Sequence, residues 1–241
     1  MRYAIFSDIH SNLEALKSII TYLKKEKIEQ YLCVGDIIGY GTDPQPCIEL
    51  VQELKSQVVM GNHDYVVGNL AELNLLNDWA QKGILFSKEK LTKSSLLYLK
   101  NLPLILSNDT FTLVHSSLAF PDLWSYIMDS FDAKQSFDHQ QTPLCFIGHS
   151  HKSGIFEKRG SNVSFKEKSC LKPEEGIQYI VNVGSVGQPR DRDPRSSFVI
   201  YDTEENYLEI KRVAYDIKST QEKIIKSGLP KMLAARLSEG K

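Results

Sequence analysis

The sequence predicts an α/β protein with a two-sheet core and helices on its outer faces. Three observations lead there. Short apolar, β-favouring runs alternate with helical segments through about residue 60, the pattern of a parallel sheet built by right-handed crossovers. Beyond Gly154 strand-like runs follow one another, which calls for a second, partly antiparallel sheet. The 241 residues, 41% hydrophobic and 24% charged, are ordinary globular composition and suffice for one sizeable core.

Tyr3-Ala4-Ile5-Phe6 reads as the first buried strand, and Ser11 with Glu14 three residues on reads as a capping box opening a helix to about Lys25. Tyr31-Leu32-Cys33-Val34 repeats the strand signal, Pro44 to Leu54 the helix signal, and Val58-Val59-Met60 the strand signal again. From about 70 to 101, Leu-rich faces opposite lysines at helical spacing give a helical insertion that ends before Pro103. Leu104-Ile105-Leu106 and Phe111-Thr112-Leu113-Val114 flank the polar turn Ser107-Asn108-Asp109-Thr110 as a hairpin, and Leu144-Cys145-Phe146-Ile147 is a further buried strand. Ile155 to Phe165, Gln178 to Val183, Phe198 to Asp202 and Tyr207 to Val213 supply the later strands. Leu and Ile at helical spacing from about 216 to 241, broken at Gly228-Leu229-Pro230, give two short terminal helices. No linker or repeat marks a boundary, so residues 1–241 are expected to form a single domain.

Charge and composition exclude several functions. Lys plus Arg (29) balance Asp plus Glu (30), so no global field gathers nucleic acid or anionic membrane, and neither is expected as a partner. No apolar run approaches the ~18 residues of a membrane span, and Asp8 and His10 interrupt the N-terminal apolar run. A cytoplasmic protein is expected. The four cysteines, Cys33, Cys47, Cys145 and Cys170, form no CxxC pair and read as reduced, buried thiols.

The chemistry-bearing residues gather after strands. Asp8 and His10 follow the first, Gly35-Asp36 the second, Gly61-Asn62-His63-Asp64 the third; His115 follows Val114, and Gly148-His149-Ser150-His151 follows Ile147. Loops leaving the carboxyl ends of strands converge at one sheet edge, so these residues meet in one cleft. Their oxygen and imidazole donors, without thiolates, suit borderline divalent cations such as Mn, Fe(II), Zn, Co and Ni. Asp8 and His10, two apart on one loop, can face a single ion, as can His149 and His151, and a carboxylate such as Asp36 can bridge two.

In this order the motifs resemble those of the calcineurin-like metallophosphoesterases, over about residues 3 to 202. The resemblance implies a four-layer α/β/β/α sandwich with two metal ions at the sheet edge. It implies that Asp8, His10 and His151 hold one ion, that Asn62, His115 and His149 hold the other, and that Asp36 bridges them. It also implies a non-ligand role for His63, beside the substrate phosphate. Gly39-Tyr40-Gly41-Thr42-Asp43-Pro44 and Asn182-Val183-Gly184-Ser185-Val186-Gly187-Gln188-Pro189-Arg190-Asp191 resemble stand-alone bacterial and archaeal members grouped with protein phosphatases and diadenosine tetraphosphate hydrolases.

These residue types fit phosphoester hydrolysis, which needs a hydroxide in line with the leaving oxygen and cations against the phosphoryl oxygens. A metal-bridging hydroxide then replaces any protein nucleophile. His63 as imidazolium would stabilise the developing charge or protonate the leaving oxygen; Asp64 would orient His63 or cap the following helix. Gly184 and Ser185, in a glycine-rich turn that would bring backbone amides near the metals, are expected to bind substrate. Arg190, Arg192 or Arg195 would grip a second phosphate, and Tyr40 and Trp124 would stack on a base or pack. His139 has no assigned role. The expected activity is hydrolysis of a phosphodiester or small nucleotide-type substrate. A Ser/Thr protein phosphatase or a nuclease with the same centre is the enzymatic alternative, and an interaction scaffold on this fold the non-enzymatic one.

Overall fold

The computed structural model describes residues 1–166 and 168–241. Two six-stranded mixed sheets pack face to face, with helices covering their outer faces. The first strand, β1 (Arg2–Phe6), pairs in parallel with β2 (Gln30–Cys33), which pairs in parallel with β3 (Gln57–Val58). Helices α1 (Leu13–Leu23) and α2 (Pro44–Glu53) make the two crossovers. The other edge of β1 takes β11 (Ser196–Asp202) antiparallel, followed by β12 (Tyr207–Val213) and β9 (Cys170–Leu171).

The second sheet runs β4 (Ile105–Ser107), β5 (Phe111–Val114), β6 (Leu144–Ile147), β10 (Gln178–Asn182), β7 (Gly154–Arg159) and β8 (Asn162–Lys166). Strand alternation explains the layers. Ala4 and Phe6 pack under α1 and α2 with Leu16, Ile19 and Ile48, while Ile5 between them joins Leu144, Phe146, Tyr179 and Val181 between the sheets. Cys145, Ile147 and Ile180 face the opposite way, onto Ala133 and Phe137 of α6 (Ser130–Phe137).

Four sequence expectations are corrected. Residues beyond Gly154 do not make a sheet of their own, because β11 and β12 complete the N-terminal sheet. Ile155 to Phe165 is a hairpin turning at Gly160, whose φ is 59°. Asn12, not Ser11, caps α1: its Oδ1 accepts from Ala15 N at 3.1 Å, and Ser11 is held at a left-handed φ of 54°. The third strand closes after Val58, and Asn62 already begins α3 (Asn62–Gly68), so the helical stretch starts before residue 70. A 3-10 turn (Leu70–Leu75), α4 (Asp78–Lys90) and α5 (Lys93–Lys100) follow. α6 carried no clear periodicity and was not expected. At the end of the chain, α7 (Ile217–Lys226), α8 (Lys231–Ala235) and a 3-10 turn (Arg236–Ser238) pack on Tyr40 and Ala80 through Ile224, Leu233 and Leu237. Among the described residues no helix is long and apolar enough to cross a membrane.

Candidate metal centre

The loops after β1, β2, β3, β5 and β6 meet at one edge of the sandwich, and their chemistry-bearing side chains are buried there together. Backbone hydrogen bonds lock the first two loops to each other: Asp8 N donates to Gly35 O and His10 N to Asp36 O, both at 3.0 Å. Asp8, His10, Asp36, His149 and His151 all have φ between 49° and 65°, a left-handed conformation that costs a non-glycine residue unless its surroundings enforce it. Gly35 is required between them. At its φ of 89°, a Cβ would lie 2.7 Å from Gly61 N and 2.9 Å from His115 Nδ1.

Three overlapping sets of donors result, Asp8/His10/His151, His10/Asp36/His63 and Asp36/His115/His149, with the ligand atoms of each set within 4.8 Å of one another. Asp36 belongs to two of them. His115 Nε2 is 3.4 Å from Asp36 Oδ2, His10 Nε2 3.6 Å from Asp36 Oδ2, and His151 Nε2 3.2 Å from Asp8 Oδ1.

The outer nitrogen of each ring is fixed by a backbone carbonyl. Nδ1 of His10, His115 and His151 donates to Ile38 O (3.1 Å), Val34 O (2.7 Å) and Gln188 O (2.6 Å), and Nε2 of His149 donates to Trp124 O (2.7 Å). This assignment of tautomers leaves one lone pair per ring for the interior. Its consequence is sharpest between His10 and His151, whose Nε2 atoms are 3.0 Å apart. Two imidazole lone pairs at that distance repel, and a shared cation between them turns the repulsion into coordination. Asp8 Oδ1, Asn62 Oδ1 and His115 Nε2 are likewise buried without a hydrogen-bond partner, an arrangement that costs about 1–3 kcal/mol per group unless a ligand fills it. The donor set fits divalent cations.

Electrostatics agree for Asp36, His149 and His151. His115 is the exception, since burial is outweighed there by the charge of Asp36, which raises it to about 9, and a bound cation would displace that proton. Burial works to raise the Asp36 carboxyl, but the surrounding histidines, His115 foremost, outweigh it and hold the group well below the usual carboxylate range. Burial pushes His149 down to about 4, helped by the charge of His115, and His151 down to about 3, helped by Arg190. Both stay neutral and free to donate a lone pair.

His63 lies against His10 and Tyr40, ring centres 4.7 Å away in each case, and its backbone N–H donates to Asp36 Oδ1 at 2.8 Å. Burial pushes its pKa well below the ordinary histidine value, against the pull of the Asp36 charge. Asp64 does not orient it. Both Asp64 oxygens accept backbone amides, Gly61 N at 3.2 Å and Ile37 N at 3.0 Å, so it caps α3 and pins the Asp36 loop. Burial and the charge of Asp36 raise its pKa to about 7.

Gly184 and Ser185 are buried beside the Asp8 loop. Ser185 Oγ donates to Asp8 O and accepts from Gln188 N, both at 2.8 Å, and a Cβ on Gly184 would meet Ser197. Arg195 is spent on an exposed ion pair with Asp193 at 2.6 Å, and Arg192 N donates to Gly240 O at 2.8 Å. Tyr40 is buried between His10 and His63. His139 is exposed near Phe120, and so is Cys170, unlike the other three free cysteines.

Sequence reasoning missed the carbonyls that orient the imidazoles, which carry no side-chain signature. It also missed Tyr126, whose ring stacks on His149 at 4.0 Å. Leu75, Leu123, Trp124, Tyr126 and His63 line a cavity of about 220 Å³ over the centre.

A model of the calcineurin-like phosphoesterase superfamily domain matches residues 1–206, and the chain belongs to that superfamily, whose members are metal-dependent hydrolases of phosphate esters. It is similar along its whole length to particular proteins. An uncharacterised protein of Methanocaldococcus jannaschii is 37% identical over 99% of this chain and 98% of its own. The crystal structure of a metallophosphoesterase from Sphaerobacter thermophilus superposes with a TM-score of 0.88 at 35% identity, covering 100% of this chain and 99% of that one. A hypothetical protein from Pyrococcus horikoshii shares the fold at 21% identity, with a TM-score of 0.82 over 100% of this chain and 98% of its own.

Proposed function

We propose that the protein hydrolyses a phosphodiester or other small nucleotide-type phosphate ester with two divalent cations bound at the sheet edge. Asp8, His10 and His151 would hold one cation, Asn62, His115 and His149 the other, with Asp36 shared between them. The observation that carries this reading is the pair of facing Nε2 atoms of His10 and His151 at 3.0 Å, both tautomers fixed from behind. Cations of this kind supply positive charge against the phosphoryl oxygens and activate water for attack at phosphorus near neutral pH.

The chain's own residues do the rest. His63 is the one imidazole of the cluster with no carbonyl behind it, and its Nδ1 is buried without a partner. That leaves its ring free to donate a hydrogen bond to the leaving oxygen as the ester bond breaks. Leu75, Leu123, Trp124 and Tyr126 wall the approach, and a substrate seated against them would shed water from the phosphate, which strengthens each electrostatic contact. Asp64 holds the Asp36 loop in place.

The test is a hydrolysis assay on metal-stripped protein with and without Mn. It compares p-nitrophenyl phosphate, its bis ester, a 2′,3′-cyclic nucleotide and diadenosine tetraphosphate. Mn-dependent turnover with preference for a diester or nucleotide is expected. Turnover without added metal, or on none of the four, would sink the proposal.

A further inference from the structure

We propose that the groove beside this centre binds a second phosphoryl group of the substrate, gripped by Arg190 and Arg236 together. The inference rests on the phosphoesterase reading above and narrows its substrate class to esters carrying at least two phosphoryl groups. The groove has a volume of about 540 Å³ and is lined by Asn77, Asp78, Trp79, Arg190 and Arg236.

Its two arginines arrive from distant parts of the chain. Arg190 follows β10, and its backbone N–H donates to His151 O at 3.1 Å, which ties it to the candidate metal centre. Its guanidinium carbon lies 5.7 Å from the centre of the Tyr40 ring, and that ring is 4.7 Å from the rings of both His10 and His63. One aromatic ring therefore separates Arg190 from the place where the scissile phosphate would sit. Arg236 begins the 3-10 turn after α8, where Leu233 and Leu237 are buried in the same cluster as Tyr40.

No side-chain ion pair among the described residues holds either arginine. Arg190 Nη2 donates only to neutral oxygens, Gln188 Oε1 at 2.8 Å and Tyr40 OH at 3.4 Å, and its Nε is buried without a partner. Arg236 Nε donates to an oxygen of Lys241, the last residue, and among the described residues neither of its terminal nitrogens has a protein partner. Asp78 lines the groove without pairing. Burial, with the charge of Arg190, lowers Arg236 to about 10, so it remains charged near neutral pH.

Two guanidiniums turned into one groove repel each other. An anion that offers several oxygens relieves the repulsion and accepts from both forks, and a phosphoryl group matches that geometry. Arg195, another arginine of this loop, is taken up by its ion pair with Asp193. Arg236 lies beyond residue 206, where the superfamily match ends.

Calorimetry on the full-length, Mn-loaded protein tests the subsite, comparing pyrophosphate with orthophosphate and adenosine diphosphate with adenosine monophosphate. The diphosphates are expected to bind about ten- to a hundredfold more tightly, the range of one charge-assisted contact. Arg236→Gln should remove most of that preference and Arg236→Lys retain part of it. Equal binding by the unmodified protein, or an undiminished preference in Arg236→Gln, overturns the inference, and the first comparison needs no variant to fold. Mn-dependent hydrolysis of p-nitrophenyl phosphate by the same preparation separates the two readings. Turnover without diphosphate preference removes the subsite alone, whereas absence of turnover on all substrates removes the reading beneath it.

Discussion

Asp36 faces both halves of the donor cluster, 3.4 Å from His115 Nε2 and 3.6 Å from His10 Nε2, so one substitution probes both. Asp36→Asn is expected to lose most bound Mn, measured by elemental analysis, and to lower turnover about a thousandfold or more, as several kcal/mol of charge stabilisation would. Retention of two metals with full turnover would contradict the shared-ligand role. His63→Ala should keep its metal and lose about 10²–10⁴ in rate. Metal loss in that variant would instead make His63 a ligand, an assignment its place in a triad with His10 and Asp36 permits. The residues that gather at the sheet edge were legible because donor types recur after consecutive strands. Asp64 was legible only as a pair of roles, since a carboxylate three residues into a helix caps or orients equally well until its partners are seen. The use of the Ser185 hydroxyl on the carbonyl of Asp8 was not legible, because that partner lies far away in sequence.

Among the elements, α1 shows how much rests on one cap. Asn12 Oδ1 accepts from Ala15 N at 3.1 Å and from Thr220 Oγ1 at 3.1 Å, and its Nδ2 donates to Gly187 O at 2.8 Å. Asn12→Ala therefore breaks a helix cap, a tie to the loop after β10 and a tie to α7. We expect a loss of about 2 kcal/mol in urea unfolding. Ser11→Ala should cost far less, and the reverse order would restore Ser11 as the cap. Strand and helix positions were readable from periodicity, down to the full extent of β6 and β12. The partners of the strands were not, because β1 meets β11 across almost the whole chain and no local pattern records such a pairing. α6 escaped notice because its outward residues include Phe131, 72% exposed, which blurs the apolar stripe.

On the scale of the whole molecule, the proposed cations would join loops from both sheets, so binding should stabilise the entire fold by mass action. Chelation should lower the melting temperature, and Mn at about a hundredfold over its Kd should raise it by about 5–10 °C. Asp36→Asn should show a much smaller rise. An unchanged melting curve on metal addition would mean that the cluster holds no ion with useful affinity. The position of β1, flanked by β2 and β11, has a further consequence during synthesis. At roughly 5–20 residues per second on the ribosome, one edge of Arg2–Phe6 waits for residues 196–202 before it can pair. Until then it is an open template for the same segment of a neighbouring nascent chain. The yield of soluble protein should therefore depend on growth temperature and translation rate, and chains cut before Ser196 should aggregate.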